Sequence, residues 1–281
     1  MSFGISPLSN YKKQEMRIML LITILSNWFL TASVTVVHKW EMPSALQEIS
    51  GIAWIEPDRF AGIQDEDGII FIYNRATAQI EKRIPFAGKG DYEGITLVND
   101  IAYVMRSDGM LYEVDNINNA QPRVKEYKTG LTAKQNVEGL TYDKKNNRLL
   151  AAIKDREPGD VSYKGIYAFD LAAKLMDKTP VYKLSLTDPA LGNAGAHKKN
   201  KTIRPSEIAV HPASGDIYII DATEPALIIL TPSGEIKNTC KLPRNDFAQP
   251  EGMTFSPDGI LFISNEGRKD AGNILEVHLN Q

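Results

Sequence analysis

The chain repeats a short phrase, and that repeat limits the possible fold more than any other feature. A carboxylate, then Gly, then an apolar run stands at Asp91-Tyr92-Glu93-Gly94-Ile95-Thr96, Asn136-Val137-Glu138-Gly139-Leu140-Thr141 and Gln249-Pro250-Glu251-Gly252-Met253-Thr254. Two variants keep the rhythm. Ile49-Ser50-Gly51-Ile52-Ala53 has Ser in the acidic position, and Pro205-Ser206-Glu207-Ile208-Ala209 moves the carboxylate one place on. Aligning Ser50, Glu93, Glu138, Ser206 and Glu251 gives steps of 43, 45, 68 and 45 residues. A near-constant step marks a repeat architecture, in which each unit buries its apolar face only against a neighbour.

Between the phrases run short strand-like segments separated by Gly, Pro, Asn and Asp, with little helical periodicity. The first unit reads as four strands, Gly51–Ile55, Arg59–Gln64, Ile69–Tyr73 and Gln79–Ile84, with turn chemistry at Glu56-Pro57-Asp58 and Asp65-Glu66-Asp67-Gly68. Four short antiparallel strands make one propeller blade. The second, third and fourth units follow the same scheme, but the fifth supplies only three strands before the chain stops. Val34–Trp40 is the natural donor of the missing strand, and pairing the two ends removes exposed edges. The expectation is therefore an all-β propeller of five four-stranded blades, at about 48 residues each. Six blades are the alternative and need a sixth copy of the phrase, degenerate between Lys154 and Ile203. The step of 68 is assigned to a widened turn at Lys154–Lys164 and to Thr187–Lys201, read as a solvated loop with a lid or partner contact as the lesser alternative.

The 281 residues carry 32 Lys plus Arg against 35 Asp plus Glu, a net charge of −3 that excludes a polyanion such as nucleic acid as the partner. The single cysteine, Cys240, excludes an internal disulfide and is read as a small packed residue. The N-terminus differs from the rest: Lys12, Lys13 and Arg17 precede Ile18–Val37, which has no charged residue and approaches the length of a membrane-spanning helix. Cations before an apolar run predict a cytoplasmic end and an exported bulk. Residues 1–37 are thus expected to be a cytoplasmic end and membrane anchor, with residues 38–281 a monomeric propeller in the periplasm, tethered to the inner membrane. A signal peptide cleaved near Thr31-Ala32-Ser33 is the rival reading.

In a propeller the first strand of each blade lines the axis, so a residue recurring at its start recurs around the channel. Glu93, Glu138 and Glu251, with Glu207 offset by one, are therefore expected at one mouth. Like charges so placed raise one another's pKa values or call for a cation, and hard carboxylate oxygens suit Ca²⁺. The second strands end on the same face, at Asp65 and Glu66, Arg106, Lys154 and Asp155, Asp221, and Asn265 and Glu266. These eight belong to a second polar column, in which Arg106, Lys154 and Arg156 suit an anionic ligand beside the metal. The competing structural reading is that the Glu-Gly phrase ties neighbouring blades by accepting backbone N–H bonds. Asp65-Glu66-Asp67-Gly68 is excluded as a calcium loop of the EF-hand type, because Ile63 and Asn74 stand where Asp and bidentate Glu are required. A phosphate loop, a zinc-protease His pair and a serine elbow are missing.

Leu46-Gln47-Glu48-Ile49-Ser50-Gly51-Ile52-Ala53-Trp54, Asp91–Thr96, Pro205–Pro212 and Gln249–Gly259, in that order, resemble the SdiA-regulated (YjiK-like) family. The resemblance covers about Trp40 to Leu279. It implies a five-bladed propeller behind an N-terminal membrane segment, a bound calcium ion and distant kinship to NHL-repeat propellers, and it supplies no known reaction. Three functions remain in play. A non-catalytic, membrane-tethered module for an unidentified small-molecule or protein ligand leads. The others are a calcium-dependent hydrolase of lactones or phosphate esters and a rim that mediates protein contacts. The four histidines, His38, His197, His211 and His278, all fall away from the expected mouth, which leaves a carboxylate as the only base for a hydrolase.

Overall fold

The computed structural model describes residue 1 and residues 33–117, 122–160, 162–194 and 202–280. The proposed membrane segment falls mostly on residues 2–32 and lies outside the described residues. Among the described residues no helix is long and apolar enough to cross a membrane.

The described chain opens with strand β1 (Ser33–Glu41), so Ser33–Val37 belongs to the propeller and not to a hydrophobic helix. Blade 1 contains β2 (Ile49–Glu56), β3 (Arg59–Gln64), β4 (Asp67–Asn74) and β5 (Gln79–Lys89). Blade 2 contains β6 (Tyr92–Val98), β7 (Ile101–Arg106), β8 (Met110–Asp115) and β9 (Arg123–Lys128). In blade 3, β10 (Val137–Asp143), β11 (Arg148–Ile153) and β12 (Tyr163–Asp170) are followed by a divided outer strand, β13 (Leu175–Met176) and β14 (Tyr182–Ser185), both paired with β12. Blade 4 contains β15 (Pro205–Val210), β16 (Ile217–Asp221), β17 (Ala226–Leu230) and β18 (Ile236–Lys241). Blade 5 contains β19 (Pro250–Phe255), β20 (Leu261–Asn265) and β21 (Asn273–Asn280). Its fourth strand is β1, antiparallel to β21 from Ser33 opposite Asn280 to Glu41 opposite Asn273. The described residues from Ser33 on thus form an all-β, five-bladed propeller whose last blade is completed by β1.

Strands such as Ile217–Asp221 and Ala226–Leu230 read as continuous apolar runs because both faces of a blade are covered by neighbours. Successive side chains point to opposite faces. Ile217 and Ile219 accordingly pack toward blade 3 with Leu150, Ala152 and Ile166, whereas Tyr218 and Ile220 pack toward blade 5 with Leu261, Ile263 and Leu275. One apolar cluster fills each of the five seams between blades. Each fully buried Leu or Ile contributes about 1.5–3 kcal/mol through the area it removes from water. Cys240, 2% exposed, packs in the seam between blades 4 and 5.

The extra length of the third unit is only partly solvated. Lys164 Nζ donates to the carbonyls of Lys154 and Asp155, and Tyr167 OH donates to the buried Glu157 at 2.6 Å, which braces the widened turn. Within the predicted loop Thr187–Lys201, a 3₁₀ turn spans Pro189–Ala194. Its Leu191 is fully buried with Ile228 and Leu230, and Thr239 Oγ1 donates to Ala190 O at 3.3 Å. This half of the insertion is packed against blade 4, contrary to its reading as a free loop, because one apolar side chain reaches the seam.

Candidate functional site

The acidic column is placed by a recurrent backbone irregularity. In every blade the pairing of the innermost strand with the second strand slips at the aligned position, between Ile49 and Ile52, Tyr92 and Gly94, Val137 and Gly139, Pro205 and Glu207, and Pro250 and Gly252. A β-bulge takes one residue out of the ladder and re-aims its side chain. The skipped residues include Ser50, Glu93, Glu138, Ser206 and Glu251. Four of them, all but Ser206, line a cavity at the upper mouth of the axis.

The glycine that follows lets neighbouring innermost strands touch backbone to backbone. A Cβ on Gly94 would stand 2.8 Å from Glu138 O and Leu140 N of the next blade, and one on Gly252 would stand 2.5 Å from Ser50 O, where the ring closes. Blade 4 departs from this pattern, with Glu207 in the glycine position. Glu207 is fully buried, and its Oε1 accepts from Leu140 N of blade 3 at 2.9 Å and from Ile208 N at 2.8 Å. Burial drives its pKa well above the ordinary carboxylate range. Glu207 therefore does not line the mouth as expected for a metal ligand. It sits in the glycine layer and ties blades together, which is the structural role weighed for the whole Glu-Gly phrase.

The mouth cavity holds about 180 Å³ and is lined by Glu48, Ser50, Asp65, Glu93, Glu138, Lys154, Gln249, Glu251 and Glu266. Lys154 Nζ pairs with Glu138 Oε2 at 2.9 Å, while Asn136 Nδ2 donates to Glu138 Oε1 at 2.7 Å. One built-in ammonium thus faces six carboxyl side chains. Burial, with Glu138 and Asp91 adding repulsion, pushes Glu93 up to about 10, so it holds its proton at neutral pH. Burial raises Glu251 to about 7 even though Lys154 pulls it down. Burial also raises Glu138 against the pull of Lys154, and it raises Asp65 and Glu266 together with their acidic neighbours. Burial opposes the charge on Lys154, but Glu138, Glu251 and Glu93 outweigh it and lift its pKa.

Of the eight predicted ligand-column residues, Asp65, Lys154 and Glu266 reach this cavity. The other five do not line it. Glu66 pairs with Lys89 at 3.3 Å. Arg106 is held by Asp108 and by Tyr112 OH, both at 2.8 Å. Asp155 pairs with Arg204 at 2.7 Å. Asp221 is buried, accepts from Thr223 N at 2.9 Å and is raised by burial to about 6. Asn265 is buried and donates to Asp246 O at 3.1 Å and Asn273 Oδ1 at 2.9 Å. Two lining residues, Glu48 and Gln249, were missed. Both stand two places before an aligned position, as do Asp91, Asn136 and Arg204, so a third polar column was present in the sequence. Its carbonyls also tie down the second strands, with Lys154 N donating to Asn136 O at 2.8 Å and Glu266 N to Gln249 O at 2.9 Å.

The donor chemistry suits the hard cation implied by the family resemblance. Glu251 Oε2 and Asp65 Oδ1 are buried without a hydrogen-bond partner, and every anionic side chain in the lining is a carboxylate. Among the described residues, however, no three His, Cys, Asp or Glu side chains are gathered closely enough to hold a metal ion, and Lys154 already engages Glu138.

A glutaminyl cyclase from Myxococcus xanthus aligns at a TM-score of 0.62 and 12% identity, over 89% of this chain and 97% of that one. A streptogramin B lyase structure aligns at 0.48 and 12% identity, over 89% and 99%. At 12% identity the likeness to the glutaminyl cyclase is one of fold alone. A search of the curated proteins found no match. The sequence profile of the SdiA-regulated family matches residues 26–269, well over half of the sequence, and the chain belongs to that family.

Proposed function

We propose that this propeller is exported, held at the inner membrane through the residues that precede β1, and binds Ca²⁺ at its acidic mouth as part of a site for a small-molecule or protein ligand that it does not turn over. The observation that carries this reading is the charge imbalance of the mouth, where six carboxyl groups face the single ammonium of Lys154 and two carboxylate oxygens lack partners. Buried like charges either take up protons or recruit a cation. Glu93, Glu138 and Glu251, with Asp65, stand too far apart as placed to hold the ion; drawn together around it they would supply the hard oxygens, and the ion would supply the compensating charge. The propeller is proposed to act as a monomer, and its net charge of −3 favours no nucleic-acid partner.

The reading is tested by thermal unfolding with and without Ca²⁺. An ion that binds only the native state raises the melting temperature, and the rise grows with the logarithm of the ion concentration above Kd. The rise is expected in the wild type and lost in Glu93→Gln combined with Glu251→Gln; an equal rise in both would remove these residues from the site. Calcium-dependent hydrolysis is the second reading, favoured by the Glu251 carboxyl at about 7, in the range of a general base. Turnover in a panel of lactones and phosphomonoesters, lost on chelation, would replace the binding-only reading.

A further inference from the structure

The opposite face of the propeller carries a second cavity, between the lower ends of blades 3 and 4. It holds about 620 Å³, against about 180 Å³ for the acidic mouth, and falls in the size range of small-molecule sites. Its near wall is Tyr142, Pro212 and Pro257, which also line the lower end of the axial channel, where Trp54 and Leu97 continue the apolar surface. Its far wall is fixed: Tyr182 OH accepts from Arg148 Nη2 at 2.9 Å and donates to Pro232 O at 3.1 Å.

The charge of this cavity is opposite to that of the mouth. Its one lining carboxylate, Asp143, is taken up by Arg148 Nε at 2.8 Å and by Asn146 Nδ2 at 2.7 Å. The lining His211 accepts from Ala213 N and Ser214 N through Nδ1, leaving only a donor at Nε2. Lys144 and Lys145 are exposed on the rim and have no carboxylate partner among the described residues. Two free ammonium groups beside a trough of mixed polarity, in which Tyr142, Pro212 and Pro257 form an apolar strip, call for a ligand with a negative end and an apolar body.

We infer that this cavity binds an amphipathic organic anion. The anionic head meets Lys144 and Lys145, and the apolar body lies along Tyr142, Pro212 and Pro257 toward Trp54. The site shares no residue with the acidic mouth and stands or falls independently of calcium binding there.

The test uses the aromatic sulfonate 1-anilinonaphthalene-8-sulfonate as the fluorescent probe on the full chain, with dodecanoate and uncharged dodecanol as competitors. The wild type should give a saturable fluorescence rise that dodecanoate reverses, with dodecanol weaker by about tenfold. Lys144→Glu combined with Lys145→Glu should weaken probe binding by about tenfold or more, because a like charge now faces the head group. The exposed positions leave the melting temperature as the check that this variant is folded, and Glu93→Gln with Glu251→Gln should bind the probe as the wild type does. No saturable binding to the wild type, binding indifferent to the lysine reversal, or equal displacement by dodecanol would overturn the inference.

Discussion

Replacing Glu251 by Gln gives a measurable consequence of how the mouth is built. The carboxyl ordinarily titrates near 4.5 and is pushed to about 7 in the fold, chiefly by burial. The native state therefore keeps a proton that the unfolded chain releases. Its contribution to stability is whole below about pH 4.5 and is lost as the pH rises through about 7. The slope in that window is about 1.4 kcal/mol per pH unit, for a total of about 3 kcal/mol. Partial solvent access reduces this to about 2–3 kcal/mol. The Gln amide keeps the shape but has no proton to lose. Urea unfolding of both proteins at pH 5 and pH 8, with chelator present, reads the difference directly. Glu93 and the other raised carboxyls remain in both proteins, so subtracting the variant from the wild type reads Glu251 together with the influence its charge has on Glu93 and Lys154. The wild type should lose about 2–3 kcal/mol more than the variant between the two pH values. Parallel losses in the two proteins would refute the account of a desolvated, underpaired carboxyl at this position.

The remaining predictions concern the ring that carries the mouth. Gly94→Ala places a methyl group against the backbone of Glu138 and Leu140 and should cost about 1–3 kcal/mol in chemical unfolding, with no such cost at Gly88, where an added Cβ meets nothing within 4 Å. Glu207→Ala leaves Leu140 N and Ile208 N without their buried acceptor and should cost about 1–3 kcal/mol per unsatisfied group, whereas Glu207→Gln keeps an acceptor oxygen and should cost much less. Removing Ser33–Glu41 exposes the edge of β21 and should produce aggregates on size-exclusion chromatography that the intact protein does not form.

The blade count and the strand that closes the ring were legible because both are written in one-dimensional patterns: a repeat of about 45 residues, and a fifth unit short by one strand. The bulge was not legible. Nothing in the phrase announces that Glu93, Glu138 and Glu251 leave the ladder, although the following Gly, needed for backbone contact between blades, travels with them. Glu207 misled because a one-place offset moves a side chain from the mouth into the glycine layer, where it becomes a buried acceptor. Arg106 and Asp155 share the column of Asp65 and Lys154 but found partners in Asp108 and Arg204, and such local pairing depends on loop geometry that the spacing does not encode. Glu48 and Gln249 lay in a readable column two places earlier, obscured because its members Glu48, Asp91, Asn136, Arg204 and Gln249 share polarity but no single residue type.

The most direct test of the central claim is a crystal grown with Ca²⁺ and no chelator, measured at long wavelength. The account predicts an anomalous peak at the upper mouth, against Glu251 and its acidic neighbours, that is absent from crystals of the Glu93→Gln, Glu251→Gln variant. A mouth holding only Lys154 Nζ and water, with no anomalous signal, would contradict it.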